Sequence, residues 1–171
     1  MDEVRLETER LIMRMWREDD IEEYAELCAD PEVMRYLGGK TFDRTEAWRH
    51  MASMIGHWQL RGYGIWAVVE KDSGRLAGRI GCINPAGWPG FEVGWTLKRE
   101  FWGKGYATEG AHRALQYAFT ELNQVHVISL IHADNHGSIH VAERLGEKLE
   151  GTARVVGIDV LVYGIDRPAA G

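Results

Sequence analysis

The chain has 171 residues, 45% hydrophobic and 27% charged, with two cysteines and a formal net charge of −6. This balance predicts one soluble domain over residues 1–171, and no apolar run is long enough to span a membrane. The acidic charge weighs against a nucleic-acid partner, the opening Met1-Asp2-Glu3 lacks a signal-peptide apolar region, and the separated Cys28 and Cys82 read as buried thiols of a reducing cytoplasm.

Val4–Trp16 alternates late, with Leu11, Met13 and Met15 on one face and Arg14 on the other, and reads as an edge or near-edge strand. Asp19-Asp20 opens a helix carrying Ile21, Tyr24, Ala25 and Cys28 at a 3–4 spacing, and Asp30-Pro31 stops it. A short helical piece covers Pro31–Leu37 and ends at Gly38-Gly39. Asp43-x-x-Glu46 is a capping-box start; the helix behind it aligns Trp48, Met51, Ile55 and Trp58 and stops near Gly62-Tyr63-Gly64. Strands follow at Ile65–Glu70, at Arg75–Ile83 (thinned or bulged by Gly78 and Gly81) and at Phe91–Leu97. They form an antiparallel meander, with Lys71–Gly74 as a turn and Asn84–Gly90 as a loop. A helix then carries Ala107, Ala111, Ala114, Leu115, Ala118 and Leu122 on one side. Val125–Ile131 is a buried strand, Asn135–Leu145 a helix closed by Gly146. Two strands joined at Gly157, Leu149–Val156 and Ile158–Ile165, finish the sheet before the tail Arg167–Gly171. The order β-α-α-β-β-β-α-β-α-β-β predicts an α/β sheet with helices on both faces.

Phe101–Phe119 carries the functional signal. A strand, a turn with Gly103 and Gly105 around Lys104, and a helix N-terminus make an anion cradle. Glycines let the main chain approach, outward N–H groups donate, and the helix dipole favours negative charge. A pyrophosphate suits it. The stretch is neither G-x-x-x-x-G-K-[ST] nor G-x-G-x-x-G, so the usual ATP, GTP and dinucleotide loops are excluded.

Trp102-Gly103-Lys104-Gly105-Tyr106-Ala107 resembles the coenzyme A pyrophosphate loop of the GNAT N-acetyltransferase superfamily, pattern Q/R-x-x-G-x-G/A. More narrowly, W-G-K-G-Y-A-T-E looks like the branch of ribosomal-protein alanine and serine N-acetyltransferases (RimJ/RimL-like). Trp102 departs from the Gln/Arg slot. Thr8–Arg14, Phe91–Leu97 and Asn135–Gly146 resemble further branch segments, so the likeness spans about Leu6 to Ile165. It implies a mixed, mostly antiparallel sheet of about seven strands flanked by about four helices, splayed between the family's fourth and fifth strands. It also implies acetyl-CoA as acyl donor and direct transfer of acetyl to a primary amine in a ternary complex. The amine is a protein N-terminus, or a small amine, amino acid or polyamine.

By that resemblance, the main chain of Gly103, Lys104, Gly105, Tyr106, Ala107 and Thr108 holds the pyrophosphate, and Trp95, Thr96 and Leu97 pair their backbone with pantetheine. Lys104 faces solvent and adds charge. Asn135 hydrogen-bonds the pantetheine amide, a role compatible with a helix N-cap. Glu92 leaves the strand face of Phe91, Val93 and Trp95 and is the candidate base; the plainer alternative is a solvated or ammonium-binding glutamate. Ser138 is a candidate proton donor to the thiolate, against a surface serine. The family's tyrosine acid slot holds Ala142, leaving Ser138, a water or the distant Tyr163, or no acid at all. Glu147 stands where the family usually has Phe and is expected to affect packing.

Four histidines, His126, His132, His136 and His140, lack an H-E-x-x-H frame, and no metal is expected. The competing readings are a non-catalytic acyl-CoA-binding or sensor domain and an acyltransferase for longer acyl groups, decided by pocket depth near Cys82 and Trp95. A homodimer is the default oligomer.

Overall fold

Eight strands form a single sheet in the computed structural model, which describes residues 3–170. Met1, Asp2 and Gly171, the ends of the acidic opening and of the tail, lie outside the described residues. The strands are β1 (Leu6–Glu7), β2 (Leu11–Arg14), β3 (Ile65–Glu70), β4 (Leu76–Ile83), β5 (Glu92–Leu97), β6 (His126–Ile131), β7 (Lys148–Val155) and β8 (Ile158–Asp166). Their order is β1-β2-β3-β4-β5-β6-β8-β7. All neighbours are antiparallel except β5 and β6, which run parallel and share only the pair Glu92–Ile128. The helices are α1 (Ile21–Ala29), α2 (Pro31–Met34), α3 (Arg44–Arg61), α4 (Tyr106–Thr120) and α5 (His136–Leu145).

Two corrections concern the N-terminal third. Val4–Trp16 is a hairpin, not one strand: Leu6 pairs with Met13 and Glu7 with Ile12. Thr8 makes the turn, its N–H donating to the Leu11 carbonyl and its hydroxyl accepting from Leu11 N–H, both at 3.0 Å. On α3 the buried stripe is Ala47, Met51, Met54 and Trp58; Trp48 and Ile55 are exposed. The predicted capping box is present, with Asp43 accepting from Glu46 N–H at 2.8 Å and Glu46 from Asp43 N–H at 3.0 Å.

Apolar strand faces bury against helices on both sides. Leu11, Met13, Val68, Ile80, Cys82, Val93 and Leu97 pack with Tyr106, Ala111, Ala114, Leu115 and Ala118 of α4. Ile65, Ala67, Val69 and Leu76 pack with Ile21, Tyr24, Leu27, Cys28, Met51 and Met54 of α1 and α3. Period-2 alternation thus sends odd positions of β5 toward α4 and even positions to the other face.

Candidate active site

The turn entering α4 is built as an anion cradle. Gly103 and Gly105 have φ of 73° and 80°, a left-handed conformation that an L side chain enters only at a cost. The first helical bond runs from Glu109 N–H to the Gly105 carbonyl, 3.0 Å. The N–H groups of Tyr106, Ala107 and Thr108 therefore face outward at the positive end of the helix dipole. A Cβ at Gly103 would meet nothing within 4 Å, so this side is open. The Thr108 hydroxyl is buried without a partner among the described residues.

Long-range contacts hold the cradle to the sheet. Glu109 accepts from the Thr8 hydroxyl (2.6 Å), Arg10 N–H (2.9 Å) and Arg10 Nε (2.7 Å). Arg10 Nη1 donates to the Lys104 carbonyl at 2.8 Å, and its guanidinium lies 4.4 Å from the Tyr106 ring centre. Tyr106 buries its ring and donates its hydroxyl to Glu70 at 2.6 Å. Lys104 Nζ stands 3.7 Å from the same carboxylate, so it is half-exposed but directed at Glu70.

The second feature is the gap where β5 and β6 separate. Two side chains engage main-chain groups that no strand ladder joins there. Glu92 Oε1 accepts from Leu130 N–H at 3.3 Å, while Oε2 accepts from Trp88 Nε1 at 2.6 Å. Burial pushes the Glu92 carboxyl above the usual carboxylate range, against those two donors and the positive charge of Arg79. The Ser129 hydroxyl donates to the Val93 carbonyl at 2.7 Å and lies 3.0 Å from Glu147 Oε1. A hydroxyl has one proton, so with it on Val93 the second bond needs a protonated Glu147. Burial pushes the Glu147 carboxyl up to about 7, and its Oε2 has no partner among the described residues. The Glu-for-Phe departure at position 147 is thus a buried acid behind the gap, more than a packing change.

The other faces of the gap carry the remaining candidates. Trp95, on the α4 and α5 side of β5, donates from Nε1 to Ser138 Oγ at 3.2 Å. Ser138 keeps its own proton free of any acceptor among the described residues. Asn135 caps α5 by accepting from Ser138 N–H at 3.2 Å. Thr96 is buried on the Glu92 face, and Leu97 is buried against α4, its carbonyl accepting from Trp102 Nε1 at 2.9 Å. Cys82 lies in the closed α4 core, its thiol directed at the Ala114 carbonyl, so no acyl pocket deepens there. Tyr163 is buried in the sheet opposite Ser129, in a small core with Ile131 and Ala142. Arg10, Glu70, Trp88 and Ser129 were not singled out from the sequence. Trp88, four residues ahead of Glu92 in a Gly- and Pro-rich loop, offered a local signal; the others act across long sequence separations.

A family model of the acetyltransferase (GNAT) domain matches residues 10–148. The chain belongs to the GNAT acetyltransferases. The N-acetyltransferase p20 of Bacillus licheniformis is 30% identical to this GNAT chain over 152 residues, 87% of this chain and 85% of its own. An acetyltransferase from Agrobacterium tumefaciens superimposes with a TM-score of 0.86 at 30% identity, over 96% of this chain and 95% of its own. A RimL ribosomal L7/L12 α-N-protein acetyltransferase solved with coenzyme A shares the GNAT fold at TM-score 0.78 and 19% identity, over 95% of this chain and 98% of its own. GNAT acetyltransferases use acetyl-CoA to acetylate amines. The open Gly103 side, the outward N–H groups and the unpartnered Thr108 hydroxyl fit the pyrophosphate of that donor.

Proposed function

We propose that this acetyltransferase transfers acetyl directly to a primary amine, protein N-terminal or small, with Glu92 as proton acceptor and Ser138 as proton donor. One observation carries the reading: the Glu92 carboxylate and the Ser138 hydroxyl lie on opposite faces of β5, flanking the gap between β5 and β6. Acetyl-CoA supplies the activated acetyl thioester. The main chain of Gly103, Lys104, Gly105, Tyr106, Ala107 and Thr108 holds its pyrophosphate. Trp95, Thr96 and Leu97 line the pantetheine arm, and Asn135 keeps its amide protons for a pantetheine carbonyl while its oxygen caps α5.

The amine enters on the Glu92 face, beside Trp88 and Leu130. An ammonium group has no lone pair, so a proton must leave before the C–N bond forms. Glu92 accepts it, and its raised affinity for protons suits that task. The nitrogen then attacks the thioester carbonyl carbon, and as the tetrahedral intermediate collapses the C–S bond breaks and the nitrogen sheds its surplus proton; Ser138, hydrogen-bonded to the departing sulfur, relays that proton, so that coenzyme A leaves as the thiol and the hydroxyl is restored. Because a thiol has a pKa near 8.5, the thiolate is a tolerable leaving group and Ser138 assists more than it enables.

Glu92→Gln tests the reading. It should lower kcat by roughly 10²–10⁴-fold and remove the acidic limb of the kcat/KM profile. Affinity for acetyl-CoA in calorimetric titration should stay the same. An acidic limb that survives the substitution would remove Glu92 as the base.

A further inference from the structure

Beside Glu92, across the gap, β6 and β8 present a bare apolar wall. Strand register decides which side chains share that face. Glu92 pairs with Ile128, Ile128 with Gly164, and Leu130 with Val162. Val162, Val160 and Ile158 of β8 therefore stand on the Glu92 side, with Gly151, Ala153 and Val155 next to them on β7. Leu130, Ile158, Val160 and Val162 are half-buried and belong to none of the packed cores among the described residues. The charged pair of the hairpin, Arg154 and Asp159, falls on the other face.

The wall is short because both of its ends are covered. At the inner end a Cβ at Gly90 would lie 3.1 Å from Ile128 Cδ1, and the Glu150 carboxyl sits over Gly164. At the outer end the segment after α2 crosses over. The Tyr36 and His132 ring centres are 5.1 Å apart, and a Cβ at Gly38 would lie 3.8 Å from Ile158 Cδ1. From Ile128 to His132 is four residues, so the covered ends are about 13 Å apart along the strand. The Leu130–Val162 rung lies between them, and Leu130 N–H is the group that Glu92 Oε1 accepts. Across from it, a Cβ at Gly94 would meet only the Glu92 side chain, at 3.6 Å from Oε1. A carboxylate thus adjoins an uncharged slot with room for one ring or a short alkyl chain. Nothing in the slot serves a second ammonium. Glu150 Oε2 lies 3.1 Å from His126 Nε2, and Asp166 and Glu150 together favour the imidazolium, so this acid is matched. On the roof the Arg35 guanidinium lies 5.3 Å from the Tyr36 ring centre, a like charge for any second cation.

We infer that the acceptor is a small primary amine on an uncharged apolar body, its ammonium at Glu92 and its body on Leu130, Val160 and Val162. This rests on the placement of the amine at Glu92 proposed above. A diamine or polyamine would set a second charge against an apolar wall, and a peptide would set amide groups there without partners. A second copy of this chain would have to lay its surface past the segment 36–38, which arches over the wall.

Thiol release is measured with ethylamine, propylamine, butylamine and phenethylamine, and with 1,4-diaminobutane, spermidine and a peptide with a neutral N-terminal residue. Along the alkyl series kcat/KM should rise about 4-fold per methylene. Butylamine should exceed 1,4-diaminobutane by roughly 10-fold or more. Val162→Asp should reverse that order, and Val162→Thr should lower kcat/KM for phenethylamine roughly 3–10-fold. Unchanged acetyl-CoA affinity shows an intact fold; if Val162→Asp loses it, Val162→Thr and the series on the unaltered protein decide. A flat alkyl series, a diamine, polyamine or peptide used as well as butylamine, or a preference that Val162→Thr leaves untouched overturns the inference. So does a dimer in sedimentation that Val162→Asp dissociates, since a second copy would then cover the wall. In each case the acidic limb still tests Glu92 separately. Acetyl-CoA binding with no amine acetylated overturns the amine-transfer reading and this one with it.

Discussion

Glu147 shows how one buried side chain couples the site to stability. It is 3% exposed, its carboxyl is pushed up to about 7 by burial, and the Glu92 charge adds to the effect. In the unfolded chain the same group titrates near 4.3. Between those values the folded state holds a proton that the unfolded state has released. Stability is therefore full below the unfolded value and falls as pH rises through the folded one. The shift corresponds to at most about 4 kcal/mol. Glu147→Gln keeps the shape without the charge. It should raise stability at pH 8 relative to pH 5 and flatten the slope between them, as read by urea unfolding at both values. Glu92 shifts in the same direction, so part of the slope survives. Equal slopes in the two proteins would mean that Glu147 ionises freely in the fold.

At the scale of elements, the turn before α4 makes the sharpest prediction. Gly105 has φ of 80°, and a Cβ there would stand 3.4 Å from Arg10 Nη2. Gly105→Asp puts a strained residue and a negative charge at the mouth of the cradle. It should cost about 1–2 kcal/mol in stability and abolish calorimetric binding of acetyl-CoA. Asp43→Ala removes the α3 cap and costs a similar ~1 kcal/mol, yet it should bind acetyl-CoA normally. If Gly105→Asp also binds normally, the cradle lies elsewhere. These elements were legible because their signals are local: the Asp43–Glu46 box, glycines at turn positions, and period-2 strands with Glu92 on the open face. The N-terminal hairpin escaped because its turn at Thr8 is made by a side chain rather than by Gly or Asn. The α3 stripe slipped because Trp48 and Ile55 satisfy helical spacing as well as Ala47 and Met54 do; only the sheet chooses between them. Ser129 and Glu70 were illegible for a third reason. Each gains its meaning from a partner distant in sequence.

The whole molecule is two antiparallel blocks, β1–β5 and β6–β8, joined in the sheet by the single pair Glu92–Ile128. Side-chain pins reinforce the seam: Ser129 to Val93, Glu92 to Leu130, and Trp95 to Ser138. Helix α4 packs on the β4–β5 side, and Asn135 opens α5 on the other. A donor held by residues 103–108 and by Asn135 touches both blocks, and so binds the assembled sheet better than any state in which the seam has opened. At a concentration of 100 times Kd it should add about 2.7 kcal/mol. For a chain of this size that raises Tm by roughly 5–10 °C. Amide exchange should slow most at the gap-facing positions of β5 and β6, and less in the hairpin of β7 and β8. Coenzyme A without the acetyl group should give much of the effect, since it carries the pyrophosphate that we propose the cradle holds. ATP should give little, having no pantetheine arm to cross the seam. Equal stabilisation by ATP, or protection spread evenly over the sheet, would mean that the donor is held at the α4 turn alone and that the gap is not its path.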